Sequence, residues 1–295
     1  MTMPKWLAFS LLTMLFWGVW SVLSRGLGDL SAVQTQAMST LGILPIMLLV
    51  ITAPNIDGGR WFGRGALLAF GSGVVVSVGN IAYYKALAIG EQAAVAVSMT
   101  ALYPMATILL AFALLKEKPN RMQLLGILAS LLAIYLLNVT PAGKSDSSWF
   151  MYAIAPIALW GVAGLIMKLA TEEISAELAS FWFFASFIPL GGVLVLVEPI
   201  RWSMSGEEWI ILVLLGATYA LGNLTLLIAY RSGGKASVVT PLGGLYPVVG
   251  IPLAILFFRE VVSGRQWTGI ALALVAAVAM SRETKNANPE KFETP

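Results

Sequence analysis

The sequence contains no cysteine and no histidine. The first absence excludes disulfides, thiolate chemistry and Cys-ligated metals. The second removes the commonest general base and the commonest metal ligand. Charge is scarce too. The 18 basic and 15 acidic side chains make up 11% of 295 residues, where soluble domains carry about 25%. So few charges cannot clothe a soluble protein of this size. This excludes a soluble enzyme and a disordered regulator. A net charge of +3 gives no reason to expect a nucleic-acid partner. In a membrane protein a small basic excess reports which loops face the cytoplasm. No cofactor and no metal are expected.

What the chain has instead is hydrophobic residues, 58% of the total. A membrane helix needs roughly 20 of them in a row. Ten apolar segments can be read: Trp6–Leu23, Ala32–Thr52, Gly65–Tyr84, Ala93–Leu115, Met122–Leu137, Trp149–Met167, Ala176–Val197, Trp209–Ala229, Ser237–Phe258 and Trp267–Met280. The fifth and tenth are short. Between the segments lie polar or turn-forming stretches, such as Asn55 to Arg60 and Arg231 to Lys235. The first segment reads as a retained helix, not a signal peptide, because no small-x-small cleavage site follows it. The stretch from Arg282 to Pro295 is charged, lacks an apolar face and is expected to be a disordered tail.

Orientation follows from the basic residues. With the amino terminus inside, Lys5, Arg60, Arg64, Lys116, Lys118, Arg121, Lys168, Arg231, Lys235, Arg282, Lys285 and Lys291 fall on the cytoplasmic side. Arg25, Lys85, Lys144, Arg201, Arg259 and Arg265 fall outside. The twofold bias predicts both termini in the cytoplasm. The expected location is the cell membrane, the inner membrane if the source is Gram-negative.

A duplication runs through the chain at an offset of 143 residues. Trp17-Gly18-Val19 recurs as Trp160-Gly161-Val162, and Gly79-Asn80 as Gly222-Asn223. Leu102-Tyr103-Pro104 recurs as Leu245-Tyr246-Pro247, Glu117 as Glu260, Gln123 as Gln266, and Gly126-Ile127 as Gly269-Ile270. The second helix of each half is one residue out of step: Ser31-Ala32 pairs with Ser175-Ala176 and Pro45 with Pro189. Shared Leu and Ala could arise from composition. Trp-Gly, Gly-Asn, Tyr-Pro and Glu at one offset indicate a repeated unit. The predicted units are 1–143 and 144–281, followed by the tail 282–295. Five helices per unit is odd, so the second unit enters the membrane inverted. Inverted repeats recur in secondary transporters, where two similar halves exchange conformations around a central site.

Ten helices in two five-helix halves, an early Trp-Gly, a Pro in each fourth helix and a Glu just after it resemble the EamA-type carriers of the drug/metabolite transporter superfamily. The resemblance spans about Trp6 to Met280. It implies a metabolite carrier, often an exporter, with its cavity between helices one, three, four, six, eight and nine. Small multidrug carriers, similar in fold, use a Glu in the first helix. This first helix has none, which argues against drug-proton antiport.

The candidate site is read from the matched interruptions. Proline removes a backbone donor and frees a carbonyl, which is tolerated in a membrane only where protein, water or ligand satisfies it. Tyr103-Pro104 and Tyr246-Pro247 mark such breaks in corresponding segments, and with three prolines and several glycines the ninth should be the least regular. Plain kinks remain an equal alternative. Asn80 shares a helix face with Ser77 and Tyr84, and Asn223 with Tyr219 and Tyr230. An amide in hydrocarbon needs a partner, which is a wet cavity or a neighbouring helix. Trp17, Trp20 and Trp160 lie deep in their segments, where an indole can bind an aromatic substrate or pack on glycine. The substrate-binding candidates are Trp17, Asn80, Tyr84, Ser98, Tyr103, Trp160, Tyr219, Asn223 and Tyr246. No ionisable residue lies near the middle of any segment, so no proton relay is visible. The nearest are Lys85, Glu91 and Lys168. Glu117 and Glu260 read first as boundary and packing residues and second as gating residues. Small faces at Gly126, Ala129 and Ala133, and at Gly269, Ala273 and Ala276, assign the fifth and tenth helices to scaffold or homodimer contacts.

The expected function is a secondary transporter that moves a small neutral or zwitterionic organic metabolite, such as an amino acid, across the lipid bilayer by alternating access, in the export direction. A channel-like facilitator and a non-transporting membrane scaffold are the alternatives. An enzyme would need a cluster of catalytic side chains at one depth, and none is present.

Overall fold

The computed structural model describes residues 4–27, 30–53, 56, 61–89, 92–115, 120–138, 147–233 and 236–280. The described residues are helical, without a strand. In order the helices are α1 (Lys5–Leu23), α2 (Ala32–Ile51), α3 (Arg64–Ile89), α4 (Ala93–Thr100), α5 (Tyr103–Leu115), α6 (Arg121–Asn138), α7 (Ser147–Glu173), α8 (Ala176–Ala185), α9 (Phe187–Val197), α10 (Gly206–Arg231), α11 (Ala236–Gly243), α12 (Pro247–Phe258) and α13 (Gly264–Met280). A 3₁₀ turn, Ser24–Leu27, follows α1. Seven helical runs are long and apolar enough to cross a membrane, and Leu124–Ala133 and Pro247–Phe258 are shorter apolar helices.

Helices α2, α8 and α10 start where a serine side chain satisfies a free amide. Ser31 accepts from the Gln34 amide ahead of α2, and Ser175 from Leu178 ahead of α8. Ser205 and Glu208 form a reciprocal capping box at α10. The fourth and ninth segments are each split beside their Tyr-Pro, at Ala101–Leu102 and at Gly244–Tyr246. The seventh is split at Ser186, away from Pro189, and Pro45 sits inside an unbroken α2. Helices α3, α7 and α10 run past the apolar stretches expected for them, to Ile89, Glu173 and Arg231. A fall in hydropathy marks the edge of an apolar slab, not the end of a helix. Glu91, Glu117, the 139–146 connection and the tail 282–295 lie outside the described residues.

The two halves of the chain hold each other by the same contacts made twice. A Cβ added at Gly79 would stand 2.6 Å from Trp160 Nε1, and one at Gly222 would stand 2.3 Å from Trp17 Cδ1. Gly18 abuts Val249, and Gly161 abuts Ala106. Gly73 lies against Phe183 and Ser186, and Gly216 against Ser39 and Gly42. Each pair maps onto its counterpart under the repeat register. Small residues are what let these backbones approach.

The bundle has two distinct ends. At one, α3 begins where α7 stops: Arg64 pairs with Glu173 at 3.3 Å. At the other, α7 begins where α3 stops: the Trp149 indole donates to the Ala86 carbonyl at 3.1 Å. Helices α1 and α10 are likewise antiparallel: Thr13 meets Thr225 at 2.9 Å, Trp17 lies against Gly222, and Gly26 after α1 lies against Ile211.

Candidate functional site

The repeat brings aromatic side chains from both halves to the middle of the bundle. Trp20 is 3% exposed and lies 5.7 Å from Trp160 and 5.4 Å from Tyr219 between ring centroids. Tyr103 meets Trp160 edge-on at 6.0 Å and Trp17 at 6.2 Å. Below this cluster lies a cavity of about 60 Å³. It follows α3 from Asn80 through Val76 to Ser72, α7 from Trp160 through Ala163 and Gly164 to Met167, and α10 from Tyr219 through Asn223, Leu226 and Leu227 to Tyr230. All three tracks lead to the end where Arg64 meets Glu173, hereafter the mouth. Thr240 and Tyr246 from the broken ninth segment and Phe183 from α8 complete the wall. None of the lining side chains is charged.

The two helix breaks meet here. The Tyr246 hydroxyl lies 2.8 Å from the Thr100 hydroxyl and donates to the Val97 carbonyl at 3.2 Å. Its counterpart Tyr103 reaches the Thr240 carbonyl at 3.5 Å. Thr240 also bonds the Tyr230 hydroxyl at 2.7 Å. Each broken helix is thus tied to the other through a tyrosine, which supplies a polar lining without a fixed charge.

Several polar atoms in the lining lack a partner. They are the indole nitrogens of Trp17 and Trp160, Asn80 Oδ1 and the Tyr219 hydroxyl. Asn223 spends an amide hydrogen on the Tyr219 carbonyl of its own helix, at 2.9 Å. The Tyr219 hydroxyl stands beside both asparagines without reaching bonding geometry. Buried polar groups left unpaired are costly. A ligand or water at this level would relieve that cost.

Of the nine candidates from the sequence, Trp17, Asn80, Tyr103, Trp160, Tyr219, Asn223 and Tyr246 line the cavity. Two lie outside that lining. Tyr84 is 4% exposed and accepts from the Trp20 indole at 3.2 Å on the far side of the aromatic cluster. Ser98 is fully buried in α4 and donates to Ala94 at 2.7 Å. The apolar wall residues Phe183, Met167 and Leu226 were not anticipated. Nothing in their chemistry separates them from ordinary core.

An all-helical, multi-pass membrane protein with a central uncharged cavity is the architecture of a solute transporter. The chain belongs to the EamA-like transporter family, which it matches over residues 4–139 and 147–282, one match per half. Among individual proteins, it is 28% identical over 124 residues to a riboflavin transporter of Rhizobium johnstonii, covering 42% of this chain and 40% of that protein. It is 36% identical over 61 residues to an uncharacterized protein of Methanocaldococcus jannaschii, covering 21% of this chain and 44% of that one. The chain therefore spans less than half the length of these curated relatives. A protein crystal structure shares the fold with a TM-score of 0.63 at 18% identity, over 94% of this chain and 96% of that one.

Proposed function

We propose that the chain is a secondary carrier for a small organic metabolite with no net charge, built as ten membrane-crossing helices in two inverted units, 1–143 and 144–281, with both termini and the tail 282–295 in the cytoplasm of a cell membrane. The seven long apolar runs and the two shorter ones supply most of the crossings. The broken fourth, seventh and ninth segments each cross as two half-helices. The reciprocal glycine contacts support alternating access, because equivalent halves can exchange conformations.

The observation that carries the substrate reading is the wall of the cavity. Trp17, Trp20, Trp160, Tyr103, Tyr219 and Tyr246 offer flat apolar faces, and Asn80 and Asn223 offer amide edges, with no charged side chain in the lining. A net charge in such a space would be desolvated without a counter-charge, whereas the two ends of a zwitterion can offset each other. A flat ring bearing hydrogen-bonding groups suits it, and an amino acid with an aromatic side chain or a flavin-like heterocycle meets that description. Riboflavin, the substrate in the name of the Rhizobium johnstonii relative, is a reasonable first probe. Export is the favoured direction.

The test is counterflow in proteoliposomes, run with riboflavin, tryptophan, leucine, lysine and glutamate. Saturable counterflow of a flat, uncharged or zwitterionic solute in preference to lysine and glutamate is the expected result. Preference for a charged aliphatic solute would overturn the substrate class. Unsaturable flux without counterflow would favour a channel.

A further inference from the structure

We infer that the end of the bundle opposite the mouth is a gate whose aromatic plug comes from the first half and has no equivalent side chains in the second, and that this plug holds that end closed. The inference rests on the reading of the cavity as a transport site, but its test uses no solute.

Under the repeat register, Trp20, Tyr83 and Tyr84 of the first half correspond to Ala163, Leu226 and Leu227 of the second. The first three pack together at the closed end, between the cavity and a polar pocket that Tyr84 borders with Arg25 and Thr35. Tyr83 is fully buried, stacks on Trp20 at 5.1 Å and donates to the Ser21 carbonyl at 2.6 Å. Trp20 donates to the Tyr84 hydroxyl at 3.2 Å. The second three line the cavity. Where the first half carries three large aromatic side chains, the second half carries small or aliphatic ones.

A second layer covers this plug. The first-turn amides of α4 receive no side-chain cap from their own N-cap residue, Gln92. Glu260, from the other half, accepts from both: Ala93 N at 2.8 Å and Ala94 N at 3.0 Å. A carboxylate at a helix N-terminus satisfies free donors and meets the positive end of the dipole. The Gln92 side-chain amide donates to the Val261 carbonyl at 2.6 Å, and Gln266 donates to Gln92. This clasp fastens α4 to the connection between α12 and α13.

Exchange of conformations between the halves would open the plugged end and bring Ala163, Leu226 and Leu227 together at the mouth. Those three side chains have no hydrogen-bonding group, so they cannot reproduce the Tyr83 and Trp20 bonds. The two closures are unequal, and the equilibrium lies toward the state seen here.

The lack of native cysteine makes the test direct. Val76→Cys places one thiol in the cavity wall. A membrane-impermeant methanethiosulfonate reagent is applied to one face at a time of sealed vesicles. The thiol should react from the mouth face and be protected from the other. Tyr83→Leu/Tyr84→Leu, which gives the plugged end the residues of the second half, should raise labelling from the protected face about tenfold. Glu260→Gln, which keeps the side-chain volume at a half-buried position, should raise it severalfold. Thermal unfolding confirms that each variant is folded. Equal labelling of the parent from both faces would overturn the inference, as would folded variants that stay protected at the parental rate. Loss of counterflow with the labelling pattern intact would strike the transport reading and leave the gate standing.

Discussion

Asparagine and glycine carry the sharpest residue-scale consequences. Asn80 presents a buried carbonyl oxygen without a partner, whereas Asn223 is bonded within its own helix. A structural amide would be paired. We therefore expect Asn80→Leu to leave thermal stability unchanged or raise it by about 1 kcal/mol while reducing counterflow at least tenfold. Loss of stability with intact transport would assign Asn80 to packing instead. The glycines sort by what surrounds them. A Cβ at Gly42 would stand 2.1 Å from the Val213 carbonyl oxygen, which no rotamer change relieves. Gly42→Ala should cost about 3 kcal/mol, at the upper end for overpacking. Gly71→Ala, with nothing within 4 Å, should leave unfolding unaltered or slightly delayed. Melting curves of the two purified variants, side by side, check this.

The helix breaks decide most at the scale of elements. Tyr246 ties α12 to α4 through two hydroxyl contacts, while Tyr103 makes one contact at 3.5 Å. Tyr246→Phe should therefore cost about 1–2 kcal/mol, and Tyr103→Phe less. Equal losses would show that the repeat, not the local bonding, sets their worth. The breaks at Tyr103-Pro104 and Tyr246-Pro247 were legible in the sequence because proline acts locally. The break at Ser186 was not. It accompanies the approach of α8 to α3, where a Cβ at Gly73 would stand 2.1 Å from Ser186 Oγ, a tertiary cause without a local marker. The site shows the same divide. Asn80 and Asn223, the matched tyrosines and the paired tryptophans were visible as a polar-aromatic pattern repeated at one offset. Tyr84 shares a face with Asn80 by spacing, but it lies one turn further on, where Trp20 covers it. Depth along a helix, relative to what packs across from it, cannot be read from one strand of text.

Orientation belongs to the whole molecule. The bias of basic residues predicts that reporters fused at positions 144 and 201 read outside, and those at 60, 235 and the tail inside. A tail that reads outside would invert the mouth and make the plugged end cytoplasmic. The glycine contacts set a further condition on any motion. Between Gly42 on α2 and Val213 on α10, and between Gly216 and Ser39, backbone meets backbone with no side chain interposed. Side chains can slide past one another by changing rotamer, but bare backbones cannot. Such a seam acts as a fulcrum, about which the flanking helices tilt as levers while the seam stays in place. A covalent strap across it should be tolerated by a working carrier, whereas one across the Glu260 clasp should jam it.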